Sequence, residues 1–131
     1  MLLDTSGLAS YLDDTDLRHS DAVALFRGAH IRITHSYVLA ELVPLCQARG
    51  VNRTRTLAFA LDLLDTRLVK LVWVDEPLHT QALAFLRARP DKSYSLCDAV
   101  SFILMRQHGI TDALSTDKDF EREGFVRLLK P

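Results

Sequence analysis

Five acidic residues stand where carboxylate chemistry is easiest to assemble. Asp4 ends the apolar run Met1-Leu2-Leu3, and Asp117 follows the run Ala113-Leu114-Ser115, with Asp119 two residues on. Asp98 lies in the first turn of a helix opened by Ser95, where the helix dipole favours an anion. Glu41 sits inside an apolar helical stretch, between Leu39-Ala40 and Leu42-Val43. Burying an unpaired carboxylate costs several kcal/mol as an order of magnitude, and a bound cation relieves that cost. A few hard oxygen donors of this kind suit Mg2+ or Mn2+, which keep waters that a substrate can displace.

Each position also has a structural use. Asp4 could cap the helix that begins near Ser6. Ser95 with Asp98, and Thr116 with Asp119, both have the S-x-x-D spacing of a capping box. Glu41 could pair with a neighbouring base. Ser115 and Thr116 could either cap or hydrogen-bond a metal-bound water.

Other chemistries are disfavoured. Cys46 and Cys97 form no C-x-x-C and lie among apolar residues, so they read as buried thiols. The 5 histidines show no zinc-ligand spacing. A formal net charge of -1 is not that of a passive nucleic-acid binder, although a bound divalent cation can supply the charge that meets a phosphate. With 131 residues, 48% hydrophobic and 25% charged, the composition predicts one globular domain over residues 1–131. Apolar stretches such as Leu57–Leu61 and Leu71–Val74 are too short to span a bilayer, and no leader-like segment precedes Asp4. The expectation is a cytoplasmic protein with no membrane partner.

Positioning these side chains requires alternating strands and helices. Strands are expected at Met1–Asp4, Ile31–Thr34, Val69–Val74, Ala113–Ser115 and Phe125–Leu129. Helices are expected at Ser6–Leu12, Asp16–Ala29, Ser36–Arg49, Asn52–Arg67, Glu76–Arg89 and Ser95–Gly109, with a helical turn at Lys118–Glu123. Pro44 should kink the helix that carries Glu41. The helix from Asn52 is apolar on more than one face, which implies extra burial or an interface. Strands separated by helices need crossovers, so the fold class is α/β with a mainly parallel, doubly wound sheet of about five strands.

With those elements in place, the chain resembles the PIN-domain family, in its VapC-type toxin branch. Leu3-Asp4-Thr5-Ser6 looks like the family's opening motif, and Ala40-Glu41-Leu42 like its second acidic segment. Ser93 to Phe102, around Asp98, resembles the third. Ala113-Leu114-Ser115-Thr116-Asp117-Lys118-Asp119-Phe120, followed by Gly124-Phe125, resembles the fourth. The resemblance implies a three-layer α/β/α fold in which Asp4, Glu41, Asp98 and Asp117 converge as metal ligands and catalytic residues, with Asp119 as an optional fifth. It also implies Mg2+- or Mn2+-dependent endoribonuclease activity leaving a 3′-hydroxyl and a 5′-phosphate. The partners implied are RNA, a cognate antitoxin and a second copy of the chain, the last two served by the Asn52 helix.

Arg49, Arg53, Arg55, Arg87, Arg89 and Lys92 are candidates to hold RNA phosphates. Two other readings compete. In a phospho-receiver domain Asp75, after the strand Val69–Val74, would be the acceptor; in an inactive PIN-like scaffold the chain would only bind RNA or protein.

Overall fold

Leu2 and Leu3 form the shortest of strands, yet both side chains are fully buried, because successive residues of a strand point to opposite faces. This pair (β1, Leu2–Leu3) sits at the centre of the sheet in a computed structural model that describes residues Met1–Pro131. The remaining elements follow as α1 Thr5–Leu12, α2 His19–Gly28, β2 Ile33–His35, α3 Ser36–Ala48, α4 Arg53–Asp65 and β3 Lys70–Val72. Then come α5 Glu76–Arg87, α6 Leu96–Gln107, β4 Asp112–Leu114, α7 Asp119–Arg122 and β5 Val126–Arg127. The five strands are all parallel, in the order β3-β2-β1-β4-β5, with Leu2 opposite both Ile33 and Ala113 and Leu3 opposite Leu114.

The alternation in β1 and β4 sorts the core into two layers. Leu3 and Leu114 pack with Leu8, Leu12, Ala22, Val38 and Leu42 of α1, α2 and α3. Leu2, Ile33 and Ala113 pack on the opposite face with Phe102, Met105 and Phe120. Outside them, Leu78 and Ala82 of α5 close over Ala99, Val100 and Leu104 of α6. Helices therefore cover both faces, as an all-parallel sheet requires, and the expected three-layer α/β/α architecture is present. Cys46 and Cys97 are buried and free, as expected. No helix is long and apolar enough to cross a membrane.

Several boundaries differ from expectation for identifiable reasons. The strand expected over Val69–Val74 pairs only at Lys70–Val72, since β3 is the sheet edge and leaves its ladder early. Beyond it, Val74 N donates to Ser36 Oγ at 2.9 Å. Ser36 is thus the first residue of α3 rather than its cap, and its hydroxyl ties the helix to the end of β3. The helix expected from Asp16 starts at His19, because the Asp16 side chain accepts from Arg18 N at 2.7 Å and holds a turn. Asn52 does cap α4, accepting from Arg55 N at 3.0 Å. Helix α3 continues through Pro44 to Ala48. Helix α4 buries only Thr56 and Leu63, leaving Leu57, Leu61 and Leu64 outward, so its extra apolar surface is not used inside the fold.

Two packing features set the geometry at the carboxyl ends of β1 and β4. Gly7 of α1 lies so close to β4 that an added Cβ would stand 1.9 Å from the Leu114 carbonyl oxygen. Phe102 of α6 meets Phe120 of α7 edge-on at 5.0 Å between ring centroids, and Phe125 stacks on it at 5.8 Å.

Candidate active site

Strand order reverses between β1 and β4, and in an open α/β sheet the crevice beyond the carboxyl ends at that point is where ligands are held. Here the crevice is an open cleft of about 430 Å³ lined by Asp4, Glu41, Asp98, Asp117 and Asp119 together with hydroxyl groups. All four of the acidic residues singled out from the sequence reach it, and so does the optional fifth.

Asp4 leaves β1 at the N-cap position of α1, but its carboxylate makes no capping hydrogen bond. Instead Ser115 Oγ donates to Asp4 Oδ2 at 2.7 Å, and Ser6 Oγ donates to the same oxygen at 3.1 Å. The two serines also bind the chain after β4: Thr116 N donates to Ser6 Oγ and Asp117 N to Ser115 Oγ, each at 3.0 Å. Asp117 Oδ1 in turn accepts from Asp119 N at 2.9 Å. One hydroxyl network therefore links the first and fourth acidic segments. Asp4 is only 5% exposed, and burial raises its carboxyl from the ordinary range to about 6.

Asp98 forms the cap anticipated for it and also reaches the cleft. Ser95 Oγ accepts from Asp98 N and Asp98 Oδ2 accepts from Ser95 N, both at 3.0 Å, so the capping box forms. The same carboxylate lines the cleft. Burial, and then the neighbouring Asp4 and Asp117 charges, raise it to about 7. The second expected box does not form: α7 has no side-chain cap, and Thr116 faces Ser6 through its amide. The Asp119 carboxylate lines the cleft instead, with Arg122 paired to it. Asp98, Asp117 and Asp119 each offer an oxygen within 4.8 Å of the others.

Glu41 corrects one step of the sequence argument. It is exposed at the cleft rim, not buried, and accepts from Thr5 Oγ1 at 3.1 Å. The burial cost that made it conspicuous therefore falls on Asp4. Asp75 is the N-cap of α5, accepting from Leu78 N at 3.0 Å, and does not line the cleft, which removes the basis of the phospho-receiver alternative.

The expected phosphate-holding cations divide. Arg49 pairs with Asp16 and Arg55 with Asp14, each at 3.1 Å, and Arg53 donates to Gln47 at 2.9 Å. Arg89 is structural: it lies over Phe85 and donates to Glu123 at 2.8 Å, where Arg106 also binds at 2.8 Å. Burial alone would raise the Glu123 carboxyl, but the hydrogen bonds from Arg89 and Arg106 outweigh it and hold the group below its usual range. Arg87 is exposed, and Lys92 stands beside the cleft. Ser6, Glu123 and Arg122, which pairs with Asp119, were not singled out from the sequence. For Ser6 the spacing of two residues from Asp4 was a usable signal; for the other two there was none, since their partners are tertiary.

Comparison with known proteins agrees with this geometry. The PIN domain family matches residues 1–126. The chain is 33% identical over 129 residues to the "23S rRNA-specific endonuclease VapC20" of two Mycobacterium tuberculosis strains, covering 98% of this chain and 97% of each relative. A crystal structure of Mycobacterium tuberculosis VapC20, described as a "Sarcin-Ricin loop cleaving toxin", superposes with a TM-score of 0.85 over 99% of this chain and 98% of that one, again at 33% identity. With the acidic cleft at the switch point and a match over nearly the whole chain, the protein belongs to the PIN-domain family.

Proposed function

We propose that the chain, acting as one domain over residues 1–131, is a divalent-metal-dependent endoribonuclease and the toxin of a type II toxin–antitoxin pair. The observation that carries this reading is the convergence of Asp4, Glu41, Asp98, Asp117 and Asp119 on one cleft. The names of the relatives support it, and they make an rRNA hairpin of the sarcin–ricin kind the first substrate to try.

The donor set fits Mg2+ or Mn2+. Three carboxylates present oxygens within 4.8 Å of one another, and Asp4 and Asp98 are held at raised pKa values of about 6 and about 7 by burial. Asp98, Asp117 and Asp119 would hold the cation, with Asp4 and Glu41 reaching it directly or through water. When bound, such an ion stabilises charge on a phosphodiester and makes a water nucleophilic near neutral pH.

The protein's own groups supply order. Ser115 and Ser6 hold Asp4 against β4, the capping box fixes the Asp98 rotamer, and Asp117 Oδ1 holds the Asp119 amide. None of these side chains is required as a covalent nucleophile. Attack of water on phosphorus with cleavage of the bond to the 3′-oxygen, which leaves and takes up a proton, would give a 3′-hydroxyl and a 5′-phosphate.

An antitoxin and a second copy of the chain are the partners of this reading. The outward Leu57, Leu61 and Leu64 of α4 are the surface offered for self-association. A cytoplasmic location follows from an rRNA substrate.

The direct test incubates purified protein with an rRNA hairpin and with mixed RNA, in Mg2+, Mn2+ or EDTA, beside Asp4→Asn. Cleavage should require metal and drop to background in the variant. Absence of cleavage in every RNA, with no heat of Mn2+ binding by calorimetry, would leave only an inactive scaffold.

A further inference from the structure

The cleft has a charge problem that its own lining does not solve. Its walls are carboxylates, hydroxyl residues and Leu45, with no Lys or Arg among them. A strand of RNA laid there would bring further phosphates on either side of the scissile one. Each needs a cation or hydrogen-bond donors nearby.

A second, smaller pocket of about 230 Å³ adjoins the cleft and shares Ser93 and Asp119 with it. It lies between the turn from α5 to α6, which supplies Asp91, Lys92, Ser93 and Tyr94, and α7, which supplies Arg122 beside Asp119, so two cations stand there against two carboxylates. Lys92 has one ion pair, to Asp91 at 3.7 Å; that carboxylate side chain is 75% exposed, so the pair is weak and easily exchanged. Arg122 is ion-paired through one guanidinium nitrogen to Asp119, and its side chain is 55% exposed. A guanidinium has five N–H donors, so most of its capacity is unused. The other arginines near this region are committed: Arg89 and Arg106 to Glu123, and Arg127 to Glu121 and the Thr116 carbonyl.

We propose that the pocket formed by Lys92, Ser93 and Arg122 is a phosphate subsite for the RNA backbone, seating a phosphodiester next to the one that is cut. This rests on the endoribonuclease reading above and adds where the substrate strand leaves the cleft. Asp119 is the shared wall. A cation held by the carboxylates competes with Arg122 for Asp119, so loading the cleft frees more of the guanidinium for a phosphate.

The test is the salt dependence of RNA binding. Fluorescence anisotropy of a labelled single-stranded RNA with the Asp4→Asn protein in Mg2+, where cleavage is suppressed and the remaining carboxylates can still take up the cation, gives log Kobs against log salt concentration. Each lost phosphate contact on a single strand lowers the magnitude of that slope by about 0.7. Lys92→Ala and Arg122→Ala are each expected to lower it by this amount and to weaken binding several-fold, while Arg122→Lys keeps the slope. Arg67→Ala, exposed before β3 at the opposite edge of the sheet, is expected to change nothing.

The same substitutions in the otherwise wild-type chain, assayed for cleavage in Mg2+, should raise KM more than they lower kcat, and flatten the salt dependence of kcat/KM. Arg122 touches Asp119, so Lys92→Ala, which does not, is the deciding variant. Unchanged slopes in both assays for Lys92→Ala overturn the subsite. A fall confined to kcat in Arg122→Ala, with slopes unchanged, also overturns it and makes Arg122 a positioning residue for Asp119. If wild type cleaves RNA while the slopes stay put, only the subsite fails. If wild type neither binds nor cleaves RNA, the nuclease reading fails and the subsite falls with it.

Discussion

At Asp4 burial and hydrogen bonding act in opposite directions, and burial wins despite donation from Ser115 and Ser6. Asp98 is raised further, to about 7, with Asp4 and Asp117 adding repulsion to its burial. Both folded values lie above the ordinary aspartate value of about 3.9. Between roughly pH 4 and 7 the folded, metal-free chain therefore holds protons that the unfolded chain has released, and its stability falls as pH rises through that window. One pKa unit corresponds to about 1.4 kcal/mol, so the Asp98 charge costs on the order of 4 kcal/mol at neutral pH without metal. Asp98→Asn, which keeps an acceptor for the capping box, should raise the melting temperature of the EDTA-treated protein at pH 7.5 and leave it nearly unchanged at pH 4. A variant that melts lower than wild type at pH 7.5 would show that the charge is not penalised. Protons compete for the same oxygens, so Mn2+ affinity by calorimetry should weaken steeply below about pH 7.

Among the elements, α1, β4 and α7 act as one positioning unit. Gly7 lets α1 approach the Leu114 carbonyl, and that approach brings Asp4 and Ser6 to Ser115. Gly7→Ala would force backbone apart rather than a flexible side chain, at a cost of about 3 kcal/mol or more. It should also lose metal binding in any fraction that still folds, as read by urea unfolding and Mn2+ calorimetry on the same preparation; full affinity would separate the helix approach from the site. On the other side, Phe120 and Phe125 against Phe102, and Glu123 between Arg89 and Arg106, hold α7 to α6. His35 at the end of β2 hydrogen-bonds Ser101 of α6 at 2.8 Å and is kept neutral by burial, with its pKa lowered to about 3. Element order was legible in the alternation of short apolar runs with helical spacing. The strand ends were not, because β3 leaves its ladder for a side chain, Ser36, that lies far away in sequence.

Across the whole molecule the unused surface is as informative as the core. Leu57, Leu61 and Leu64 recur on one side of α4 at helical spacing, with Leu61 63% exposed, and the chain itself covers them only in part. If this strip joins two copies, light scattering should find a dimer that Leu61→Asp with Leu64→Asp converts to a monomer without loss of helix content; a wild-type monomer at high micromolar concentration would end that reading. The sequence by itself determined the α/β class, the order of the elements and the acidic residues at strand ends and helix starts. Those follow from local periodicity, capping chemistry and the rule that a parallel sheet needs crossovers. Only the tertiary structure decided that Asp119 joins Asp98 and Asp117 within 4.8 Å, that Glu41 sits exposed at the rim, and that Arg122 and Lys92 border the cleft while Arg89 is spent on Glu123. The physical reason is helix phase: α3, α6 and α7 each turn one face to the sheet, and which side chain then meets which is set by packing between residues remote in sequence.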